Sequence, residues 1–212
     1  MSKFSNIIPI GAHCNISYLL QHLHIKKETS LFEWFQSDGL DCVNETLNKI
    51  NWTHLNSDII TGKDDLIELG HYHIFSIHYK INEYKEIYLR RAKRFYDLLQ
   101  SNDDILFVRL NIPVFSTTLE DILEFRRQIQ LIKLRGTEKM KFMLISTIEK
   151  AEDFLPIKHD FVIHRYILKR DVNDVIMKDD IKIQHQLRQF LTEAGYENKN
   201  ICNMKWTDKS IV

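Results

Sequence analysis

One cysteine has the surroundings of a nucleophile. The stretch Asn6-Ile-Ile-Pro-Ile-Gly-Ala-His-Cys14 reads as a short buried strand followed by a glycine turn, and Ile16, Leu19, Leu20 and Leu23 then repeat at helical spacing. Cys14 therefore falls in the first turn of a predicted helix, near the positive end of the helix dipole, where a thiolate is stabilised. The alternative is a small residue that fills a tight strand-to-helix turn.

A thiol nucleophile needs a base that takes its proton and a group that orients the base. His78, near the end of a predicted strand over residues 73–79, is our first candidate for the base. Asn111 or Asp160 is the candidate for the orienting group. Each has a structural alternative: His78 as a half-buried strand residue bonded to the backbone, and Asn111 as a strand-end residue before Pro113.

Strand ends supply the candidate binding residues. In a parallel sheet, a site forms beyond the carboxyl ends of the strands. That rule selects the following set: Gly11, His13 and Cys14; His78 and Lys80; Arg109 and Asn111; Ser146 and Thr147; His164 and Arg165.

Arginines offer a different chemistry. Arg91 lies within the apolar stripe of a strong predicted helix, so it either packs its stem or reaches a polar site. Arg91, Arg109 and Arg165 could together hold the diphosphate of a nucleotide sugar, while His13 and Cys14 line the pocket. The Asp pairs 64–65, 103–104 and 179–180 lack the Asp-x-Asp form of metal-dependent transferases.

No metal or other cofactor is predicted. His71 and His73 share one strand face, a geometry common for two metal ligands, but no third ligand stands at a familiar spacing. Gly11-Ala-His-Cys14 has one glycine and matches neither a dinucleotide fingerprint nor a phosphate-binding loop.

Composition limits the classes of protein that remain. The 212 residues carry 29 basic and 29 acidic side chains, so no net charge argues for nucleic acid or an anionic membrane. No run approaches the roughly 20 apolar residues of a membrane span, and no secretory signal is evident. Cys14, Cys42 and Cys202 form no disulfide or metal pattern, which favours a reducing compartment, the cytoplasm.

Alternating apolar strands and amphipathic helices predict a single α/β domain over residues 1–212. Strands as uniformly apolar as 105–112, 141–147 and 161–168 are typical of a mainly parallel central sheet flanked by helices, a three-layer Rossmann-like arrangement. Residues 51–70 carry mixed turn signals and are expected to be loop-rich. A capping box is expected at Thr117 and Glu120.

Several stretches resemble a domain family of unknown function whose members are described as papain-like cysteine peptidases. The resemblance is carried by Ile10-Gly-x-x-Cys14-x-x-x-x-Leu19-Leu20, by Ser30-Leu-Phe-Glu-Trp34, and by Phe75-Ser-Ile-His78 with Tyr88-Leu-Arg-Arg91 and Phe107-Val-Arg109. It covers about the first half of the chain. Glu33 and Leu31 stand where many members have Asp and Pro.

The resemblance implies that Cys14 is the nucleophile and His78 the base, on a papain-like α+β fold. Trp34, in the stretch that matches the family's Ser-x-Phe-Asp-Trp-like segment, is a further candidate for substrate binding. Association of the family with surface-polysaccharide genes implies work on glycans or their carriers. Three functions remain open: a thiol-dependent hydrolase or acyl transferase acting on a small molecule, peptide or glycan, a glycosyltransferase-like enzyme, and a non-catalytic interaction module. The first is our prediction, with no nucleic-acid partner.

Overall fold

The computed structural model describes residues 4–11, 14–25, 28–63, 66–70, 74–76, 80–111, 117–133, 136, 138–168 and 181–196. The helices within these ranges are α1 (Asn15–His22), α2 (Leu40–Lys49), α3 (Ile81–Gln100), α4 (Leu119–Ile132) and α5 (Ile181–Glu193). The strands are β1 (Asn6–Pro9), β2 (Gln36–Ser37), β3 (Ile60–Lys63), β4 (Leu66–Leu69), β5 (Ile74–Ser76), β6 (Ile105–Asn111), β7 (Met140–Ile148) and β8 (Val162–Leu168).

A parallel four-stranded sheet forms the centre, in the order β1-β6-β7-β8. All three strand pairs are parallel, with Ile8 opposite Phe107 and Phe107 opposite Phe142. Strands β6 and β7 are buried on both faces, because helices cover the sheet on each side. The predicted α/β class and its mainly parallel sheet are confirmed, in place of the antiparallel sheet of a papain-like α+β fold.

Two hydrophobic clusters make the protein three layers thick. On one face, α1 and α5 pack through Leu19 and Leu187 against Val108 and its neighbours in the sheet. On the other face, α2, α3 and α4 pack in one cluster with Phe107 and Phe142. The edge-to-face rings of Phe107, Phe125 and Phe142 join α4 directly to the sheet.

A second, antiparallel sheet in the order β2-β5-β4-β3 was not predicted. Its strands β3 and β4 lie within the segment 51–70 that was expected to be loop-rich. Among the described residues of that segment, 51–59 and Gly70 lie outside the strands. Ile67 and Leu69 are fully buried in the same core as α3, and this long-range packing stabilises strands whose local sequence contains Gly62 and many charges.

Strand β5 belongs to this second sheet and pairs with β2 and β4. The expectation that it ends at the carboxyl edge of the parallel sheet is therefore wrong, and the rule that selected His78 and Lys80 does not apply to them. The physical reason is that a strand of three residues is too short for its sequence pattern to show which sheet it joins. Lys80 begins α3 as its exposed cap residue.

The cap of α4 is one residue later than predicted. Thr118 is the cap residue: its Oγ1 accepts from the Asp121 N–H at 3.2 Å, and Asp121 Oδ2 accepts from the Thr118 N–H at 2.8 Å. Asp121 takes the role that was expected of Glu120, because its shorter side chain also reaches back to the N–H of the cap residue. Among the described helices, none combines the length and the hydrophobicity needed to span a membrane.

Candidate functional site

The chain leaves the neighbouring parallel strands β1 and β6 toward opposite faces of the sheet. After β1 the chain enters α1 on one face, whereas after β6 it enters α4 on the opposite face. Neighbouring parallel strands whose connections leave on opposite sides open a crevice at their carboxyl ends, where ligands bind in α/β proteins. We call this space the β1–β6 crevice. Gly11, Cys14 and Asn111 stand at its edge because they follow or end these two strands.

Cys14 is the residue at which α1 begins. Its backbone is already helical, at φ −62° and ψ −17°, and its carbonyl accepts the Tyr18 N–H at 3.0 Å. The side chain is half-buried and makes no capping hydrogen bond to α1. Burial raises the pKa of the Cys14 thiol, and its own backbone N–H opposes that rise. Activation of this thiol therefore requires a proton acceptor in addition to the helix dipole.

Gly11 allows the turn that leads from β1 to α1. Its φ of +52° lies in the left-handed region, which side chains rarely adopt. A Cβ at this position would lie 2.4 Å from Ser37 Oγ and 3.2 Å from an Arg109 nitrogen. Glycine is thus required for both conformation and space, and the bend it makes directs the chain toward Cys14.

Arg109 is fully enclosed directly beneath that turn. Its guanidinium donates to the Ile10 carbonyl at 3.0 Å, to Ser37 Oγ at 2.9 Å and to Thr117 Oγ1 at 3.2 Å. Burial lowers the pKa of Arg109 to about 10, and the thiol of Cys42 and the carboxylates of Asp41 and Asp121 oppose the shift. The group stays charged at neutral pH. Arg109 has no exposed surface, so it holds the crevice edge in place from the protein interior. The sequence had instead predicted that Arg109 contacts the substrate.

Asn111 holds the start of the α4 connection. Its Oδ1 accepts the Thr117 N–H at 3.2 Å, so this side chain links the end of β6 to the residue before the α4 cap. The sequence predicted that this same oxygen would orient a catalytic histidine. The observed contact uses one of its acceptor directions for the backbone, which makes Asn111 a positioning residue for the crevice edge.

Trp34 has a backbone conformation that a bulky residue rarely adopts. Its φ is +68°, and such outliers are maintained only where the surroundings over-determine them. Phe32 and Phe35 on either side are buried, and the half-buried indole meets the Tyr18 ring edge-to-face at 5.0 Å. Tyr18 lies one turn after Cys14 on the same side of α1. Trp34 therefore lies beside the helix that begins at the thiol.

Arg91 anchors the segment that carries Trp34. It is 5% exposed, its guanidinium donates to the Glu33 carbonyl at 3.2 Å, and it lies 5.7 Å from the centre of the Tyr84 ring. Glu33 is itself buried and accepts the Ser30 N–H at 2.6 Å. Arg91 therefore holds the segment that carries Trp34 in place. The sequence had predicted that Arg91 contacts the substrate.

His164 and Arg165 lie on β8, two strands away from β6 and roughly 10 Å from it at ordinary strand spacing. His164 Nδ1 accepts the Ile157 N–H at 3.0 Å, so the proton of the neutral ring is on Nε2 and is donated to Ser146 Oγ at 2.8 Å. Burial, with a smaller effect of Arg165, lowers the pKa of His164 to about 4. This ring cannot act as a base toward Ser146, because its free lone pair is already bound.

Arg165 extends to the opposite face of β8. Its Nε lies 3.4 Å from Glu193 Oε2 on α5. The structure therefore separates His164 and Arg165 from the β1–β6 crevice and brings together Gly11, Arg109 and Asn111 near Cys14 and Trp34. His13, His71, His73, His78 and Cys202 lie outside the described residues.

Sequence reasoning missed Tyr18, Ser37 and Thr117 as parts of this edge. The sequence pattern indicated Thr117 only as a helix cap. The signal that could have identified them is Arg109 itself: an arginine in the middle of an apolar strand must find several acceptors from distant segments. Among the described residues, no three His, Cys, Asp or Glu side chains group to hold a metal ion.

Comparison with known proteins leaves the family open. No family model matches the chain, and no solved structure does. The chain is 26% identical to "Uncharacterized protein R408" of Acanthamoeba polyphaga mimivirus, over 51% of this chain and 63% of the relative. It thus spans less than two thirds of the length of that relative, whose printed name states no activity.

Proposed function

We propose that the protein is a thiol-dependent hydrolase or acyl transferase with Cys14 as its nucleophile. The observation that carries this proposal is the position of Cys14 at the start of α1, at the edge of the β1–β6 crevice. The resemblance to papain-like peptidases over the first half of the chain agrees with it. Glycans, peptides and their acylated carriers are the candidate substrates.

In the proposed reaction, Cys14 Sγ bonds to the carbonyl carbon of an acyl substrate while a base takes the thiol proton. The negative oxygen that forms is stabilised by the backbone N–H groups at the start of α1. The bond to the leaving group then breaks, and the leaving group receives the proton. Water, or an acceptor hydroxyl or amine, adds to the thioester and releases Cys14. His78 remains our proposal for the base.

Trp34 and Tyr18, whose rings meet edge-to-face, give the crevice an aromatic side against which a sugar ring or a peptide could pack. The buried Arg109 network fixes the crevice edge without contacting the substrate. In contrast, the nucleotide-sugar alternative loses support, because Arg91, Arg109 and Arg165 are far from converging and each is bound to an intramolecular partner.

Acyl trapping tests the proposal. The wild type and the Cys14→Ser and Cys42→Ser variants are incubated with a panel of activated acyl esters, and adducts are located by intact-mass and peptide mass spectrometry. We expect a thioester on Cys14 that is lost in Cys14→Ser and kept in Cys42→Ser. Equal modification of both cysteines, or of neither, would favour the interaction module and overturn the proposal.

A further inference from the structure

A cavity of about 320 Å³ lies along the outer edge of β1, at the opposite end of the strand from Cys14. Residues 5–8, which are consecutive in the chain, all line it. Successive side chains of a strand point to opposite faces, so a cavity that contacts all four residues runs along the edge of the strand. The other edge of β1 is paired with β6, and the cavity therefore lies at the unpaired edge.

The unpaired edge presents one backbone donor and one backbone acceptor, both from Ile7. The N–H groups of Asn6 and Ile10 donate to carbonyls in the segment 104–108, at 3.2 and 2.8 Å. Because alternate residues of a strand bond to the same neighbour, the N–H and the C=O of Ile7 point away from β6. Neither group is hydrogen-bonded within the described part of the chain. Since Ile7 is only half-buried and lines the cavity, its N–H and C=O are available to a ligand.

Pro9 restricts the length of any segment that pairs with this edge. It is the next residue of β1 that points away from β6, and proline has no N–H to donate. Full pairing is therefore confined to Ile7. In an antiparallel pair, one residue exchanges both of its hydrogen bonds with one residue opposite. The group that complements Ile7 is consequently an N–H and a C=O joined through one carbon, which is one amino-acid residue of a peptide.

The walls on both sides of this edge are apolar. Ile25 lines the cavity from the hydrophobic cluster on one face of the sheet, and Phe95 and Leu98 of α3 line it from the other face. Apolar walls with a few fixed polar groups are the usual form of a small-ligand site, and this volume lies at the lower end of the range for such sites. The space therefore suits a short segment with apolar side chains.

The charged groups around the cavity compensate one another. Arg94 lies 3.5 Å from Glu28, and Asp97 lies 2.9 Å from Lys93. Arg94 also donates to the Thr29 carbonyl at 2.9 Å. Among the described lining residues, no excess of either sign is therefore left to attract an anion or a cation, which favours a neutral ligand over a nucleotide or a metal ion.

We propose that this cavity binds a short, neutral peptide, one residue of which pairs antiparallel with Ile7. The peptide N–H donates to the Ile7 carbonyl, and the peptide carbonyl accepts the Ile7 N–H, as in other strand additions at a sheet edge. Opposite residues of an antiparallel pair share a face, so the side chain of the paired residue lies on the Ile25 side. The flanking groups lie against Phe95 and Leu98. The site is separate from the β1–β6 crevice and does not depend on the thiol proposal.

Nuclear magnetic resonance titration of the isotope-labelled full chain tests this site. The probe is N-acetylleucine methylamide, and its counterpart is the same compound methylated on the leucine nitrogen. We expect saturable binding of the probe with a downfield shift of the Ile7 amide proton. The counterpart should bind about tenfold more weakly, because it cannot donate to the Ile7 carbonyl. Equal affinity of the two compounds, an unchanged Ile7 resonance, or no binding at millimolar concentration would overturn the proposal.

A pair of leucine variants places the probe in the cavity. Leu98→Glu, at a half-buried position, introduces a carboxylate that the bound probe would desolvate, so affinity should fall about tenfold or more. Leu131→Glu, at a position that is 66% exposed on α4, is the matched control and should bind the probe as the wild type does. Equal affinity of the two variants would contradict the assignment. An Ile7 resonance that shifts with protein concentration when no probe is present would show that a second copy occupies the edge, and would also overturn it.

Discussion

At the residue scale, Arg109 decides the shape of the candidate site. A charged side chain that is fully buried needs hydrogen-bond partners for its donors. The Arg109 guanidinium donates to the turn after β1, to strand β2 and to Thr117, the residue before the α4 cap. Its position within an apolar strand was visible in the sequence. Its role was not, because the three acceptors come from segments separated by up to 99 positions.

Replacement of Arg109 by Met should destabilise the protein by about 3 kcal/mol, since the Ile10 carbonyl and the Ser37 and Thr117 hydroxyls lose their buried donor. The free energy of unfolding in urea measures this effect. Arg90→Met, on the exposed side of α3, is the control and should stay within about 0.5 kcal/mol of the wild type. A loss of under 1 kcal/mol at Arg109 would contradict the proposed anchoring role.

His164 gives a pH-dependent prediction. Its folded-state pKa of about 4 lies below the ordinary value of about 6.5, so the unfolded chain binds more protons between these values. The contribution of His164 to the free energy of unfolding is therefore fully present above pH 6.5 and is lost as the pH falls toward 4. We expect His164 to account for about 1 kcal/mol of that loss, because part of the ring remains in water.

Urea unfolding of the wild type and of His164→Gln at pH 7 and pH 4.5 measures this contribution. The variant should lose less stability than the wild type over that interval, by about 1 kcal/mol. His54→Gln, at an exposed loop position, is the control. Identical pH dependence of the wild type and His164→Gln would show that His164 is not held neutral in the fold.

At the element scale, helices were more predictable than strands. The repeats of Tyr84, Tyr88, Phe95 and Leu99 predict α3 because local spacing alone produces a buried face. Strand β2 has two residues and was not recognised, whereas β5 was predicted as a strand but, with three residues, does not show which sheet it joins. Their pairing is determined by the core they share with α3, and His78 was consequently selected by a rule that applies to the other sheet.

The cap of α4 gives a prediction at this scale. Thr118→Ala should lower the free energy of unfolding by about 1 kcal/mol, because the Asp121 N–H loses its bond to Thr118 Oγ1, whereas the backbone N–H of residue 118 can still donate to the Asp121 carboxylate. Glu120→Gln, which changes the residue that the sequence pattern favoured, should have less than half that effect. Urea titration of both variants distinguishes the two registers, and a larger loss for Glu120→Gln would contradict the observed cap.

At the scale of the whole molecule, the central claim depends on topology. Uniformly apolar strands predicted the parallel sheet, and the parallel sheet predicted that Gly11 and Cys14 would lie at its carboxyl edge. The sequence did not show the strand order β1-β6-β7-β8, because the order of strands in a sheet is determined by contacts between segments that are distant along the chain. That order places the β1–β6 crevice beside Cys14 and places His164 and Arg165 two strands away from β6.

The most direct test compares the two described cysteines within one molecule. The rate of iodoacetamide alkylation of Cys14 and Cys42 is followed from pH 5 to 11 by peptide mass spectrometry, in a Cys202→Ser background. Burial raises the pKa of both thiols, that of Cys42 to about 11, so a Cys14 pKa below that of a free cysteine requires additional stabilisation of its thiolate in the crevice. The account predicts a Cys14 inflection below about 8.5, the value of a free cysteine. An inflection above that value, where burial alone would place it, would contradict Cys14 as an activated nucleophile.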